Sequence, residues 1–396
     1  MKKIITILLV LALIAGLAAC GAKTEPAPKE EPASVEETAQ PEQTEEPAQS
    51  EQNGEPALPE ETEVPETSGE PETVTFTDDC GRTVEIPAGV TRVVPTGALS
   101  QIALFPLASE MFVGLATGWS DTAKQYVPAE YHDLPVLGSL YGTADLNVEQ
   151  LALADPQVII DVGEAKKSIV EDMDNMQELT SIPSVHIEMS LATMGDAYRR
   201  LGSLLGVEER AEQIASFCDR VYARTLSIME NVGENKVSAL YVVGEKGLNV
   251  IANGTFHAEL FDMLTDNAAV VESPSGKGTG NEVTMEQIAL WDPDFVLFGY
   301  DSIYNTVTET DTWKDMKAIA GGRYVKVPYG PDNWMGIPSS VQRVLGMIWL
   351  PAVLYPEYCD YDVEAEVKEA YALLYGCELT DGQYAGLTEG AFLQAE

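Results

Sequence analysis

Apolar and polar positions repeat in the same order at two places along the chain. Asp145-Leu-Asn-Val-Glu-Gln-Leu-Ala-Leu-Ala-Asp-Pro-Gln-Val-Ile-Ile160 and Glu282-Val-Thr-Met-Glu-Gln-Ile-Ala-Leu-Trp-Asp-Pro-Asp-Phe-Val-Leu297 align without a gap, which marks a repeated structural unit. Asn147 and Thr284 stand at N-cap positions, with Gln150 and Gln287 three residues on. In that arrangement side chain and backbone satisfy each other's unpaired groups at a helix start. Each helix must stop by Ala154 or Trp291, because the residues before Pro156 and Pro293 are pushed out of the helical region. Val158-Ile159-Ile160 and Phe295-Val296-Leu297-Phe298 then read as strands buried on both faces, running on to Gly163 and Gly299.

Strand and helix patterns alternate on either side of these units. Thr83–Ile86, Arg92–Val94, Phe112–Leu115 and Val185–Ile187 read as strands, with helices from about Leu99 and after Lys166. Val237–Val243 and Tyr324–Val327 are strands of a second set, with helices from about Thr255, over Ser339 to Leu354 and over Val363 to Leu374. Alternation of this kind predicts sheets that are mainly parallel and covered by helices. Between the two sets, Val207, Ala211, Ile214, Cys218, Val221, Thr225, Ile228 and Val232 step by four and three, an apolar stripe along one long helix. The expected fold is α/β: two similar lobes joined by one long inter-lobe helix. Their bounds are a first lobe at 73–206, a connecting helix at 207–233 and a second lobe at 234–396.

The first 72 residues differ in kind. Lys2 and Lys3, an apolar run and Leu17-Ala-Ala-Cys20 make a signal peptide ending in a lipoprotein-type site, too short in its apolar core for a spanning helix. Cys20 is the expected lipidation site, where a diacylglyceryl group anchors the chain to the membrane. Residues 21–72 hold sixteen Glu against two Lys and almost no aliphatic side chain larger than Ala, so a disordered acidic tether is expected.

The formal net charge of −41 exceeds what the tether carries. An acidic body argues against nucleic acid, whose phosphates need Lys and Arg. Cys80, Cys218, Cys359 and Cys377 remain. Outside the cytoplasm disulfides form, so a bridge from Cys359 to Cys377 and the other pairings stay open, while Cys218 fits a buried thiol in the helical stripe.

The lipid-attachment site and tether resemble those of the iron-siderophore, haem and cobalamin group of ABC-importer solute-binding proteins. So do the entry Phe76-Thr-Asp-Asp-Cys-Gly-Arg-Thr-Val-Glu-Ile86, the repeated unit, the long helix and the closing Ile337-Pro-Ser-Ser-Val-Gln-Arg-Val-Leu-Gly-Met-Ile-Trp-Leu-Pro-Ala-Val-Leu-Tyr-Pro356. The resemblance covers about Thr73 to Leu387. It implies a monomer without enzymatic activity or intrinsic cofactor, working with a permease and its ATPase. It implies as cargo a metal chelate, a ferric siderophore first, with haem and cobalamin open. It implies also one docking acid per lobe: Glu259 matches on the second, whereas the first has Gln101 in place of the usual Glu, with Glu110 nearby.

In parallel α/β sheets ligands sit beyond the carboxyl ends of the strands. Trp119, Tyr141, Tyr300 and Trp334 stand there beside glycine- or proline-rich turns and are the expected aromatic wall for a bulky chelate. Lys166, Lys246 and Lys277 are candidate contacts for anionic groups, and Met335 or His257 for the iron of haem. His132, His186 and His257 are scattered, and the metalloprotease, nucleophile-elbow and phosphate-loop spacings are absent, so neither an enzyme nor a protein-held metal is expected. The rival reading, a surface sensor on the same scaffold, differs in having no permease partner.

Overall fold

The computed structural model describes residues 72–139 and 146–394, all within one compact unit, Thr67–Glu396. The signal peptide, Cys20, the tether before Glu72, and Tyr141 lie outside the described residues.

The described chain opens with β1 (Thr73–Thr77) and β2 (Thr83–Pro87), an antiparallel pair. The first lobe follows as β3 (Val93–Pro95), α1 (Ala98–Ala108), α2 (Val148–Ala154), β4 (Val158–Gly163), α3 (Ile169–Thr180), β5 (Ser184–Glu188) and α4 (Met194–Leu205). Its sheet runs β3-β4-β5, all parallel. The long helix α5 spans Glu208–Val232.

Beyond it come β6 (Ser238–Val243), β7 (Asn249–Val250), α6 (Glu259–Leu264), β8 (Asp266–Asn267), β9 (Asn281–Glu282), α7 (Met285–Trp291) and β10 (Phe295–Phe298). The chain closes with α8 (Lys317–Ala320), β11 (Tyr324–Lys326), α9 (Arg343–Leu354), α10 (Val363–Tyr375) and α11 (Asp381–Leu387). The second sheet has the order β11-β10-β6-β7-β9, with β8 also on β6. Only the pairings of β7 are antiparallel.

The repeated unit forms α2–β4 and α7–β10. Asn147 Oδ1 accepts from Gln150 N at 3.0 Å, and at α7 the reciprocal pair is complete, with Thr284 Oγ1 accepting from Gln287 N and Gln287 Oε1 from Thr284 N. Both helices end at an aspartate in the left-handed region, Asp155 at φ 46° and Asp292 at φ 39°. The following proline excludes right-handed helix there, and a short polar side chain tolerates the alternative. β4 and β10 are buried along their whole length.

One expected strand does not form. Phe112–Leu115 changes partner at Gly114: Val113 N donates to Val93 O, whereas Leu115 N donates to Pro135 O. Only single bridges, Val93 to Phe112 and Leu115 to Val136, result.

In α5 the side chains of Ala211, Ile214, Cys218, Val221, Thr225, Ile228 and Val232 are buried, and 25 residues give a rod of about 38 Å. Helix α4 lies against it so closely that a Cβ on Gly202 would come 2.3 Å from Ala211 Cβ, so only glycine fits. A second tie joins the lobes from the carboxyl-terminal side. Arg210 of α5 donates to Pro106 O in α1 and to Leu373 O in α10, Arg220 bonds Glu369 at 2.8 Å, and Tyr371 packs on Tyr126 of the first lobe at 5.5 Å.

All four described cysteines are free thiols, so the pairing left open between Cys359 and Cys377 is not made. Among the described residues no helix is long and apolar enough to cross a membrane.

Candidate functional site

The carboxyl ends of β3 and β4 and the first turn of α1 face the segment that leads into α6, and a cavity of about 160 Å³ lies between them. Thr96, Ser100, Asp161 and Lys166 line it from the first lobe, Phe256 and His257 from the second. A larger cavity of about 450 Å³ sits at the ends of β6 and β10, with Asn249, Tyr300, Asp301, Asn333 and Ile337 in its walls.

A hydrogen-bonded set forms the floor of the smaller cavity. The Asp161 carboxylate accepts from the hydroxyls of Thr96 and Ser100 and lies 2.7 Å from His186 Nδ1, while Val162 N donates to Ser100 Oγ at 2.9 Å. Three donors gathered on one buried carboxylate hold this end of β4 rigid. Sequence reasoning passed over this set, although a charged residue inside Val158-Ile-Ile-Asp-Val162 and a histidine between Val185 and Ile187 signal it.

His257 is fixed from behind. Its Nδ1 lies 2.9 Å from Ser339 Oγ and 3.2 Å from the carbonyl of Gly336, and burial pushes its pKa down. The ring is therefore neutral near pH 7. Tyr300 stacks on Tyr329 with centroids 3.9 Å apart and planes at 18°, stays 49% exposed, and has its phenol pKa raised by burial.

The expected residues divide sharply. Tyr300 lines the larger cavity and Lys166 the smaller. Lys246 and Lys277 are exposed and line neither. Trp119 packs edge-on against Phe105 at 5.1 Å and donates from Nε1 to Tyr131 O at 3.1 Å, so it stays with its own lobe. Trp334 and Met335 correct the expectation outright: they are 0% and 1% exposed. Trp334 Nε1 donates to Tyr371 Oη at 3.2 Å. Their apolar bulk fills the space under α9, and the polar Asn333 beside them faces the cavity instead.

The expected docking residues separate as well. Gln101 is buried, accepting from Ala116 N at 2.8 Å and Thr117 N at 3.1 Å and donating to Thr117 O at 3.1 Å, so it shapes a loop and faces no partner. Glu259 is ion-paired with the buried Arg343 and accepts from Leu191 N at 3.1 Å, while its side chain stays 30% exposed. Glu110 is exposed, just past α1. Among the described residues no group of three or more His, Cys, Asp or Glu is placed to hold a metal ion.

Two α/β lobes with cavities at their strand ends and a stiff helical connector make a two-lobe binding scaffold. The chain belongs to the periplasmic binding protein family, whose profile matches residues 103–328. Members of this family bind solutes and do not transform them, and their partner is an ABC permease.

An ABC transporter solute-binding protein from Sulfurospirillum deleyianum is similar in structure at 24% identity and TM-score 0.71, over 80% of this chain and 99% of that one. The molybdate-bound MolA of Haemophilus influenzae is similar at 17% identity and TM-score 0.62, over 78% and 99%. A catecholate-siderophore binding protein, VctP from Vibrio cholerae, is similar at 19% and TM-score 0.51, over 70% and 99%. At these identities the likeness establishes the fold. No curated protein sequence matches significantly.

Proposed function

We propose that this chain is the lipid-anchored substrate-binding component of an ABC importer. It captures a metal chelate, a ferric siderophore first among the candidates, and delivers it to a permease driven by an ATPase. The observation that carries the reading is the adjoining pair of cavities at the strand ends, with a stacked aromatic face at Tyr300 in one and Lys166 and His257 in the other. Flat rings and a few placed polar groups suit a chelate with aromatic arms. Two proteins of similar structure bind molybdate and a catecholate siderophore, respectively. Anchoring at Cys20 and lobes bounded at 73–206 and 234–396 belong to this proposal.

The test is to isolate the mature protein from cells grown with little iron, then to read its mass, its metal content and its co-purifying small molecule. A lipid-sized mass addition and a bound chelate are expected. An unlipidated chain sinks the anchoring, and a metal-free cargo sinks the chelate.

A further inference from the structure

A further cavity, of about 420 Å³, lies at the opposite end of α1 from the cavities at the strand ends. The smaller of those meets the first turn of α1, whereas this one is lined by Phe105 to Ala108 in the last turn, about 12 Å further along the helix. The start of α5 closes it through Arg210, and the end of α10 through Leu374 and Tyr375. Phe105 and Tyr131 meet edge-on at 5.2 Å in its wall, and Met111 adds to the apolar lining. Its volume falls within the range of small-molecule sites.

Arg210 sets this cavity apart. Arg82, Arg199, Arg224 and Arg343 each pair with a carboxylate, and Arg323 is exposed. Arg210 is partly buried, burial pulls its pKa down, and among the described residues no carboxylate lies within ion-pair distance of it. Its Nε donates to Pro106 O at 3.1 Å and its Nη2 to Leu373 O, so Nη1 and the second proton of Nη2 have no partner among the described residues. Those two groups form the guanidinium edge that a carboxylate bridges. Tyr375, also in the lining, has a buried hydroxyl without a hydrogen-bond partner among the described residues. Glu110 and Glu130 line the cavity as well, both exposed. Two carboxylates there repel a multiply charged anion more than a singly charged one.

We propose that this cavity is a second binding site, separate from the strand-end cleft, for a compact monocarboxylate with an apolar body. The carboxylate bridges Nη1 and Nη2 of Arg210, the body packs on Phe105, Tyr131 and Leu374, and Glu110 with Glu130 turns away anions of higher charge. Such an occupant touches α1, α5 and α10 at once, so it fastens the carboxyl-terminal strap to the first lobe. The site is independent of the cargo carried in the cleft.

Titration calorimetry of the full mature chain tests it with three probes: 3-phenylpropanoate, the uncharged 3-phenylpropanamide, and citrate. The carboxylate is expected to bind about ten-fold or more tighter than either of the others, and to raise Tm. Arg210→Gln should weaken it about ten-fold or more, because the cation that faces the carboxylate is gone. Since that change also removes a tie to α10, Met111→Trp fills the cavity without touching Arg210, and it should give a similar loss with Tm nearly unchanged. Tyr300→Ala, in the strand-end cleft, should leave 3-phenylpropanoate within about two-fold of wild type. A wild-type chain that does not bind the carboxylate, or binds the amide or citrate equally well, overturns the site. So does a ten-fold loss from Tyr300→Ala, or full affinity in either Arg210→Gln or a folded Met111→Trp.

Discussion

Glu259 of α6 accepts the backbone N–H of Leu191 at 3.1 Å, so a carboxylate of the second lobe closes a hydrogen bond onto the first. The same carboxylate balances Arg343, whose side chain is 1% exposed and whose guanidinium lies 5.0 Å from the Phe256 ring in the cavity wall. Removing Glu259 leaves a buried cation without a counter-charge, held only by the bond from its Nε to Ser340 O. Glu259→Ala is therefore expected to lower unfolding stability by about 2 to 4 kcal/mol, read from urea midpoints. A variant of unchanged stability that loses only transport would return Glu259 to the docking surface.

Burial raises the carboxyl pKa of Asp332 to about 7, and its Oδ2 has no hydrogen-bond partner among the described residues. Burial is the one cause of this shift, and the carboxylate in turn adds to the burial that raises the phenols of Tyr371 and Tyr375 on α10. The folded chain keeps a proton here that the unfolded chain releases above about pH 4. Stability from this group is thus full below that pH, falls as pH rises toward 7, and stays low above it. At about 1.4 kcal/mol per unit, the loss over this window is about 2 to 4 kcal/mol. Asp332→Asn should flatten that part of the profile and be more stable than wild type at pH 8; an unchanged slope would show that the carboxyl is solvated.

Tyr300 and Trp334 make opposite predictions, although both were expected to line the cleft. Tyr300→Ala should weaken chelate binding about five- to thirty-fold, or about 1 to 2 kcal/mol, with little change in Tm. Trp334→Ala should cost about 3 to 5 kcal/mol of stability, because it empties a packed site. Calorimetric titration beside thermal unfolding distinguishes them, and loss of affinity in a stable Trp334→Ala variant would place that ring in the cleft after all.

Ligand should close the lobes by only a few degrees. Helix α5 is one connector, and α10, tied to α5 and α1 through Arg210 and to Tyr126 through Tyr371, is a second. Small-angle scattering with and without the iron chelate should show nearly the same radius of gyration. A large contraction would mean that the α10 tie releases.

The elements legible in the sequence are those that local forces set. Caps, prolines and the stripe from Ala211 to Val232 act within a few residues, and each marks an element the fold contains. Phe112–Leu115 misled because its change of partner at Gly114 depends on Pro135, twenty-one residues away. The candidate site was legible only in part for a similar reason. Tyr300 and Trp334 both follow strands beside turns, and only the packing of α9 and α10 decides which ring faces inward. Asp161 was readable as a charge within an apolar run, yet the run alone does not show that Thr96, Ser100 and His186 converge on it.

The four unbridged thiols bear on how this protein matures after export. No disulfide joins the described cysteines, so the described fold does not depend on one. Two of these thiols are also slow to react: Cys218 is enclosed in α5, and burial pushes the Cys80 thiol up to about 11. At neutral pH the Cys80 thiol therefore stays protonated, and mild oxidants should leave it unmodified.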